Sequence, residues 1–306
     1  MKKMFFCLCV VLLPLTCWAQ WESMIPPMTK GTVSMGVTYQ KWSREGQNHP
    51  IEETVLPMTL FYPLRERVYL NVSNSPGSAQ YHGIQLSGFS DTWIRTTYVF
   101  PGEKLMANVG VGAPTGKTGL TEEEFGLSSL LSENAFRFRL PCYGQGLCVR
   151  AGLALAHPVS ENTVLGVGAT YIHKLAYHPL DDADIEYHPG NEASLFVGLD
   201  TRIGSAGKWN WDVVYTLYEG DRLNEDLVYG SGNKLLVSSS LLLHAGNGMI
   251  GSFLRWRQKG KNEYWIGSSL EPESMNSNGN QLEMDVFWQF FENNTLAFRF
   301  LGEGRM

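Results

Sequence analysis

The feature that most constrains this chain is a two-residue rhythm. It begins after residue 30 and runs almost to the C-terminus. Segments of about ten residues alternate apolar and polar side chains, and each stops at a turn signal. Trp209–Tyr218 is the clearest. Trp209, Trp211, Val213, Tyr215 and Leu217 fall on one side; Asn210, Asp212, Val214 and Thr216 fall on the other. A period of two means a strand with two unlike faces. Ten tilted residues at about 3.3 Å each cross a bilayer's hydrocarbon core. A dozen or more such strands behind an export signal read as an all-β fold, a transmembrane antiparallel up-and-down β-barrel.

The export signal is the N-terminal stretch. Met1-Lys2-Lys3 precedes an apolar run from Met4 to Leu15, and Cys17-Trp18-Ala19 forms a cleavage pattern before Gln20. Residues 1–19 thus read as a cleavable secretory signal peptide, and 20–306 as one barrel domain. The alternatives are a buried N-terminal helix and a lipoprotein modified at Cys17, which Pro14-Leu15-Thr16 fits poorly. Cleavage removes Cys7, Cys9 and Cys17. Cys142 and Cys148 remain, flanking a Tyr-Gly-Gln-Gly turn, and in an exported chain they are expected to form a disulfide loop.

Composition narrows the partners. Aromatics make up 12% of the chain and glycine is abundant, as interfacial girdles and tight turns require. No run of eighteen apolar residues follows the signal, which excludes helical spans. Mean hydropathy is slightly negative, as when half of every strand faces water. Net charge is −6 without a basic patch, so nucleic acid is not an expected partner. No linker divides the chain.

Thirteen alternating segments follow one another: Thr32–Trp42, Thr54–Tyr62, Val68–Ser73, Asp91–Phe100, Leu105–Ala113, Cys148–Ala156, Thr163–Lys174, Ala193–Ile203, Trp209–Tyr218, Lys234–His244, Met249–Arg257, Gln281–Phe291 and Thr295–Phe300. Short connections such as Pro101–Lys104 alternate with long ones such as Pro114–Gly146. That is the rhythm of short periplasmic turns and long outer loops. Bacterial barrels have even strand numbers. Reading Glu263–Leu270 as a further strand makes fourteen; twelve is the alternative if one segment is misread. A soluble β-sandwich also alternates, but its strands are shorter and it has no need of this loop rhythm.

Four stretches carry a resemblance: Ser87-Gly88-Phe89-Ser90-Asp91-Thr92-Trp93, Val109-Gly110-Val111-Gly112-Ala113-Pro114-Thr115-Gly116, Gly144-Gln145-Gly146, and His188-Pro189-Gly190-Asn191-Glu192. Together they resemble Gram-negative outer-membrane proteins grouped with the meta-pathway of phenol degradation, relatives of the fatty-acid and toluene channels. The resemblance implies passage of small or hydrophobic organic solutes across the outer membrane. It departs in two places. The fatty-acid channels carry an N-terminal hatch of several dozen residues, and only Gln20–Lys30 precedes the first strand here. Many such barrels stop on a terminal aromatic, and this chain runs on past Phe300.

Parity names the candidate pore-lining residues: Asp91, Arg95, Asn108, Arg150, Asp200, Arg202, Asp212, Arg255, Arg257, Asp285 and Arg299. Acids and bases facing one another across a lumen orient polar solutes; paired to one another, they fill it. Thr121–Leu131 reads as a short amphipathic helix in the longest loop, expected on the rim. Tyr177-His178-Pro179 and Tyr187-His188-Pro189 enclose Asp181, Asp182 and Asp184. That set is either a cation site or, the commoner case, a solvated acidic loop. Ser239 and His173 are the hydroxyl and base a lipid-acting enzyme needs, without a motif around either. The leading expectation is a passive channel with no cofactor and no catalytic residues. A structural or surface-interaction barrel is the alternative, and an enzyme the third reading. Expected partners are outer-membrane lipids, the barrel-assembly machinery and small organic solutes.

Overall fold

The computed structural model describes residues 31–42, 50–132, 138–181, 185–246, 248–266, 269–272, 279–292 and 296–305. The signal segment 1–19 lies outside them. In chain order the elements are β1 (Thr32–Met35), β2 (Thr38–Trp42), β3 (Ile51–Val55), β4 (Met58–Arg65), β5 (Val68–Asn74), β6 (Gly77–Tyr81), β7 (Ile84–Gly88), β8 (Thr92–Val99), β9 (Leu105–Ala113) and α1 (Glu122–Ser132). There follow β10 (Cys148–Pro158), β11 (Thr163–Lys174), β12 (Tyr187–His188), β13 (Glu192–Ile203), β14 (Gly207–Tyr218), β15 (Gly220–Leu223), β16 (Asp226–Gly230) and β17 (Lys234–Ala245). The last are β18 (Gly248–Lys259), β19 (Glu263–Ile266), β20 (Ser269–Pro272), β21 (Gly279–Glu292) and β22 (Leu296–Arg305).

Thirteen strands form one antiparallel wall in the order β1-β4-β5-β8-β9-β10-β11-β13-β14-β17-β18-β21-β22. Each pairs with its next neighbour along the chain, and each corresponds to one of the thirteen alternating segments. Among the described residues β1 and β22 are the two ends of this order, with no pairing between them. Glu263–Leu270 is not a wall strand. It folds back as the β19–β20 hairpin, with Ile266 opposite Ser269. Each arm has four residues, a reach of about 13 Å, far short of a tilted span.

The predicted alternation of connections is present, and it sorts the molecule into two ends. Short turns join β4 to β5, β8 to β9, β10 to β11, β13 to β14 and β17 to β18. At the other end the chain makes long excursions that build structure of their own. The first two make a four-stranded sheet, β2-β3-β6-β7, and the last three a five-stranded sheet, β12-β15-β16-β19-β20. Two-residue turns close two of the hairpins here. His82 and Gly83, with φ of 52° and 83°, turn β6 into β7, and Asn224 and Glu225, at 48° and 79°, turn β15 into β16. Positive φ at both positions matches the right-handed twist of the flanking strands.

The wall's two faces differ as parity demands. Val109 is 61% exposed, Leu195 58% and Leu153 56%, and each points away from the charged positions. Val33, Leu60, Ile94, Val111, Val149, Val197, Tyr215, Leu254 and Met284 continue this apolar face from strand to strand. Among the described residues the compact apolar core lies elsewhere, at the excursion end. There Leu127 and Leu131 of α1 pack with Phe138, Leu140 and Tyr143 against Ile51, Val55, Ala79 and Leu86.

Candidate functional site

The candidate site is the wall's polar face together with the cap at its excursion end. Directly opposed residues share a face, so the register carries one polar face across the strands. Arg95 and Arg150 both stand opposite Gly110. Asn108 stands opposite Thr97 and Gly152. Asp212 is opposite Gly198 and Ser238, Arg255 opposite Ser238 and Glu283, and Asp285 opposite Phe253. Arg202 lies opposite Lys208, Arg257 opposite Gln281, and Arg299 opposite Gln289.

Several of these charges are paired. Lys208 lies 3.4 Å from Asp200, Arg255 lies 3.4 Å from Glu283, and Lys174 lies 2.5 Å from Glu192. Arg257 donates to the Gln281 side-chain oxygen. Lys174, Glu192 and Lys208 are absent from the expected set. Their signal is inward parity at strand ends, where a charge is easily read as part of a turn.

Asp91 departs from expectation. It lies just before β8, and its carboxylate is taken up by the longest loop. Oδ1 accepts the Gly116 N–H at 3.0 Å and Oδ2 the Gln145 N–H at 2.6 Å. The residue therefore fastens both ends of the 114–147 excursion. Gly116 is required there, because a Cβ would fall 2.8 Å from Asp91 Oδ1 and closer still to the Tyr143 carbonyl. Three of the four stretches that carry the family resemblance thus meet in one fastening. Burial pushes the Asp91 carboxyl above its usual range. The fourth stretch repeats the device, with Asp221 Oδ1 accepting the Gly190 N–H at 2.7 Å.

Helix α1 is not a free rim element. Thr121 and Glu124 cap it reciprocally: Thr121 Oγ1 accepts the Glu124 N–H at 3.3 Å, and Glu124 accepts the Thr121 N–H at 3.2 Å. Its buried leucines lie on the β3 face that carries Ile51, Glu53 and Val55. The longest loop therefore packs on the odd-numbered face of β3, in the sheet β2-β3-β6-β7.

Within that core sits a buried acid. Glu53 accepts the Arg139 N–H at 2.8 Å and the Leu140 N–H at 3.2 Å, and Gln40 Oε1 also accepts from Arg139 N–H at 2.6 Å. Burial raises the Glu53 carboxyl to about 7 from 4.5. The folded cap therefore holds a proton that the open cap releases. Its stability is fully present below pH 4.5 and is lost as pH rises through 7. The difference between pH 5 and pH 8 is expected to be roughly 3 kcal/mol. Amide exchange at Arg139 and Leu140 reads it directly, and Glu53→Gln flattens the dependence. Equal protection at both pH values in the parent chain counts against this role.

The sulfurs of Cys142 and Cys148, expected to be bridged, are not joined in this structure. Each sulfur is turned to a glycine carbonyl between them: Cys142 Sγ to Gly144 O at 3.0 Å, and Cys148 Sγ to Gly146 O at 3.8 Å. Burial pushes the Cys142 thiol up to about 11, which leaves little thiolate at neutral pH. His178 and His188 face the backbone carbonyls of Ile185 and Lys174. Among the described residues no three metal-donor side chains cluster; Asp182 and Asp184 lie outside them. His173 meets Asn191 at 2.9 Å, and Ser239 accepts from Trp209 Nε1 at 2.9 Å. They belong to β11 and β17, three strand steps or about 14 Å apart, so they form no nucleophile–base pair.

No protein-family model and no curated protein matches the chain. Among solved structures it is similar to the COG4313 outer membrane channel from Pseudomonas putida F1, at 11% identity and a TM-score of 0.48, over 88% of this chain and 94% of that one. It is also similar to a Pseudomonas aeruginosa FadL homologue, at 13% identity and 0.42, over 90% and 71%. A mutant Rh. blastica porin is similar at 9% identity and 0.27, over 90% and 99%.

Proposed function

We propose that the wall closes on itself in the outer membrane of a Gram-negative bacterium and forms a passive channel for small organic solutes. The observation that carries this reading is the opposition of the two faces. An apolar face carried by ten of the thirteen wall strands is covered by none of the described elements, and lipid is the solvent that matches it. Closure follows from the same setting, since an open sheet edge in hydrocarbon leaves backbone N–H and C=O groups unpaired. Trp209 near the short turns and Tyr215 near the excursions lie six residues apart on β14, about 20 Å. That spacing suits aromatic girdles at the two interfaces. The excursion end with its cap then faces outward, and residues 1–19 direct export.

The ion pairs Lys208–Asp200 and Arg255–Glu283 favour a second reading, a structural barrel whose lumen is filled. Single-channel recording in planar bilayers separates the two. The channel reading expects steady conductance from the purified protein. It also expects Asp212→Ala to shift selectivity towards anions, since one inward negative charge is lost while the heat-modifiable gel band is kept. A filled barrel carries no current and loses stability on breaking a pair.

A further inference from the structure

The polar face carries a cationic pair that no ion pair closes among the described residues; Glu192 attracts Arg150 from a distance but is itself ion-paired with Lys174. Arg95 of β8 and Arg150 of β10 flank Gly110 of β9 at the same level. Their Cα atoms are thus two strand spacings, about 10 Å, apart. Neither takes part in a salt bridge among the described residues. The Nε of each is out of solvent and bonded to nothing there, as is Oδ1 of Asn108, one step along β9 on the same face. The acids at this end of the wall are already used. Glu192 is held by Lys174 at 2.5 Å, and both Asp91 oxygens accept backbone N–H groups. Between the arginines Gly110 offers only hydrogen. A Cβ there would lie 3.1 Å from the Ile94 carbonyl and 3.4 Å from Arg95 Cβ. Two residues along β8, on the same face, Trp93 spreads its ring beside Gly112, 3.2 Å from where a Cβ would stand.

From this juxtaposition we propose that Arg95 and Arg150 form a station for an organic carboxylate, with the carboxylate held between the guanidiniums over Gly110 and an apolar or aromatic body against Trp93. Guanidinium forks match carboxylate geometry, and planar cations tolerate an adjacent aromatic ligand. Two like charges left facing each other repel; an anion between them removes the repulsion and supplies acceptors to the idle N–H groups. The proposal deepens the channel reading by naming the class of solute, and it rests on that reading for its role in transport.

The test uses benzoate as the probe and the full-length protein in detergent. Isothermal titration measures binding without any current, and reversal potentials in a salt gradient measure selectivity. Saturable benzoate binding is expected, at least about tenfold weaker in Arg95→Ala and in Arg150→Ala. Arg95→Lys/Arg150→Lys keeps the charge but loses the fork, so it restores anion selectivity more fully than benzoate affinity. If the alanine variants fail to fold, the lysine pair carries the comparison through the same loss of affinity. No saturable binding, or binding equal in the parent and in every folded variant, overturns the station. Arginine-dependent binding without conductance leaves the station standing and removes the channel. Conductance with arginine-independent binding does the reverse.

Discussion

Asp91→Ala is expected to release the 114–147 excursion from the mouth of the wall. One carboxylate ties both ends of that segment, through Gly116 and Gln145. Hydrogen bonds to a charged acceptor are worth about 1.5–3 kcal/mol each. Losing both favours local opening by on the order of a hundredfold or more. The wall itself, built on strand pairing, stays formed. The clearest measurement is limited proteolysis of the folded protein, with cleavage inside 114–147 accelerated by that factor and the heat-modifiable band unchanged. In bilayers the same variant is expected to show larger and noisier conductance, because the proposed channel opens at the end of the wall where this loop is fastened. Asp91→Asn keeps one acceptor oxygen and should fall between the two. Cleavage no faster in Asp91→Ala than in the parent would contradict the fastening role.

The second large effect concerns the outer face. Leu153 lies mid-strand in β10, is 56% exposed, and stands opposite Ala107 and Ala169. In a water-soluble protein, Leu153→Arg at so open a site would change stability by about 0.5 kcal/mol or less. With lipid against it, the same change costs about 2–4 kcal/mol near the bilayer midplane. Denaturant titration of folding into lipid vesicles distinguishes these outcomes. A shift near zero would remove the membrane reading, whereas the larger loss would support it. Leu153→Ala is the control, and its effect should be smaller because no charge is placed in hydrocarbon.

Both predictions draw on different depths of the chain. The thirteen wall strands and their neighbour-to-neighbour order were legible in the sequence. Alternation is a local property, and a neighbour-to-neighbour wall needs nothing more than local segments paired in turn. Glu263–Leu270 was misread for the same reason. Its alternation is as good as a wall strand's, and only the return of the chain after Ile266 shows that it is a hairpin. The Ile51-x-Glu53-x-Val55 pattern is a strand too, but its neighbouring loop-like residues hid it.

What tertiary structure alone decided are the contacts between distant segments. Asp91 reaches Gly116 and Gln145, which lie 25 and 54 positions away, and Glu53 reaches Leu140 across 87. Parity assigned Asp91 to the lumen because it marks a face, and it cannot say which backbone will come to meet that face. Likewise two arginines 55 positions apart in sequence become one pair only when β8 and β10 take the same register on β9. Period-two patterning specifies which side of the sheet a residue occupies. Hydrogen-bonded register specifies its neighbours, and it is the neighbours that turn a charged residue into a fastening, a buried proton store or an anion station.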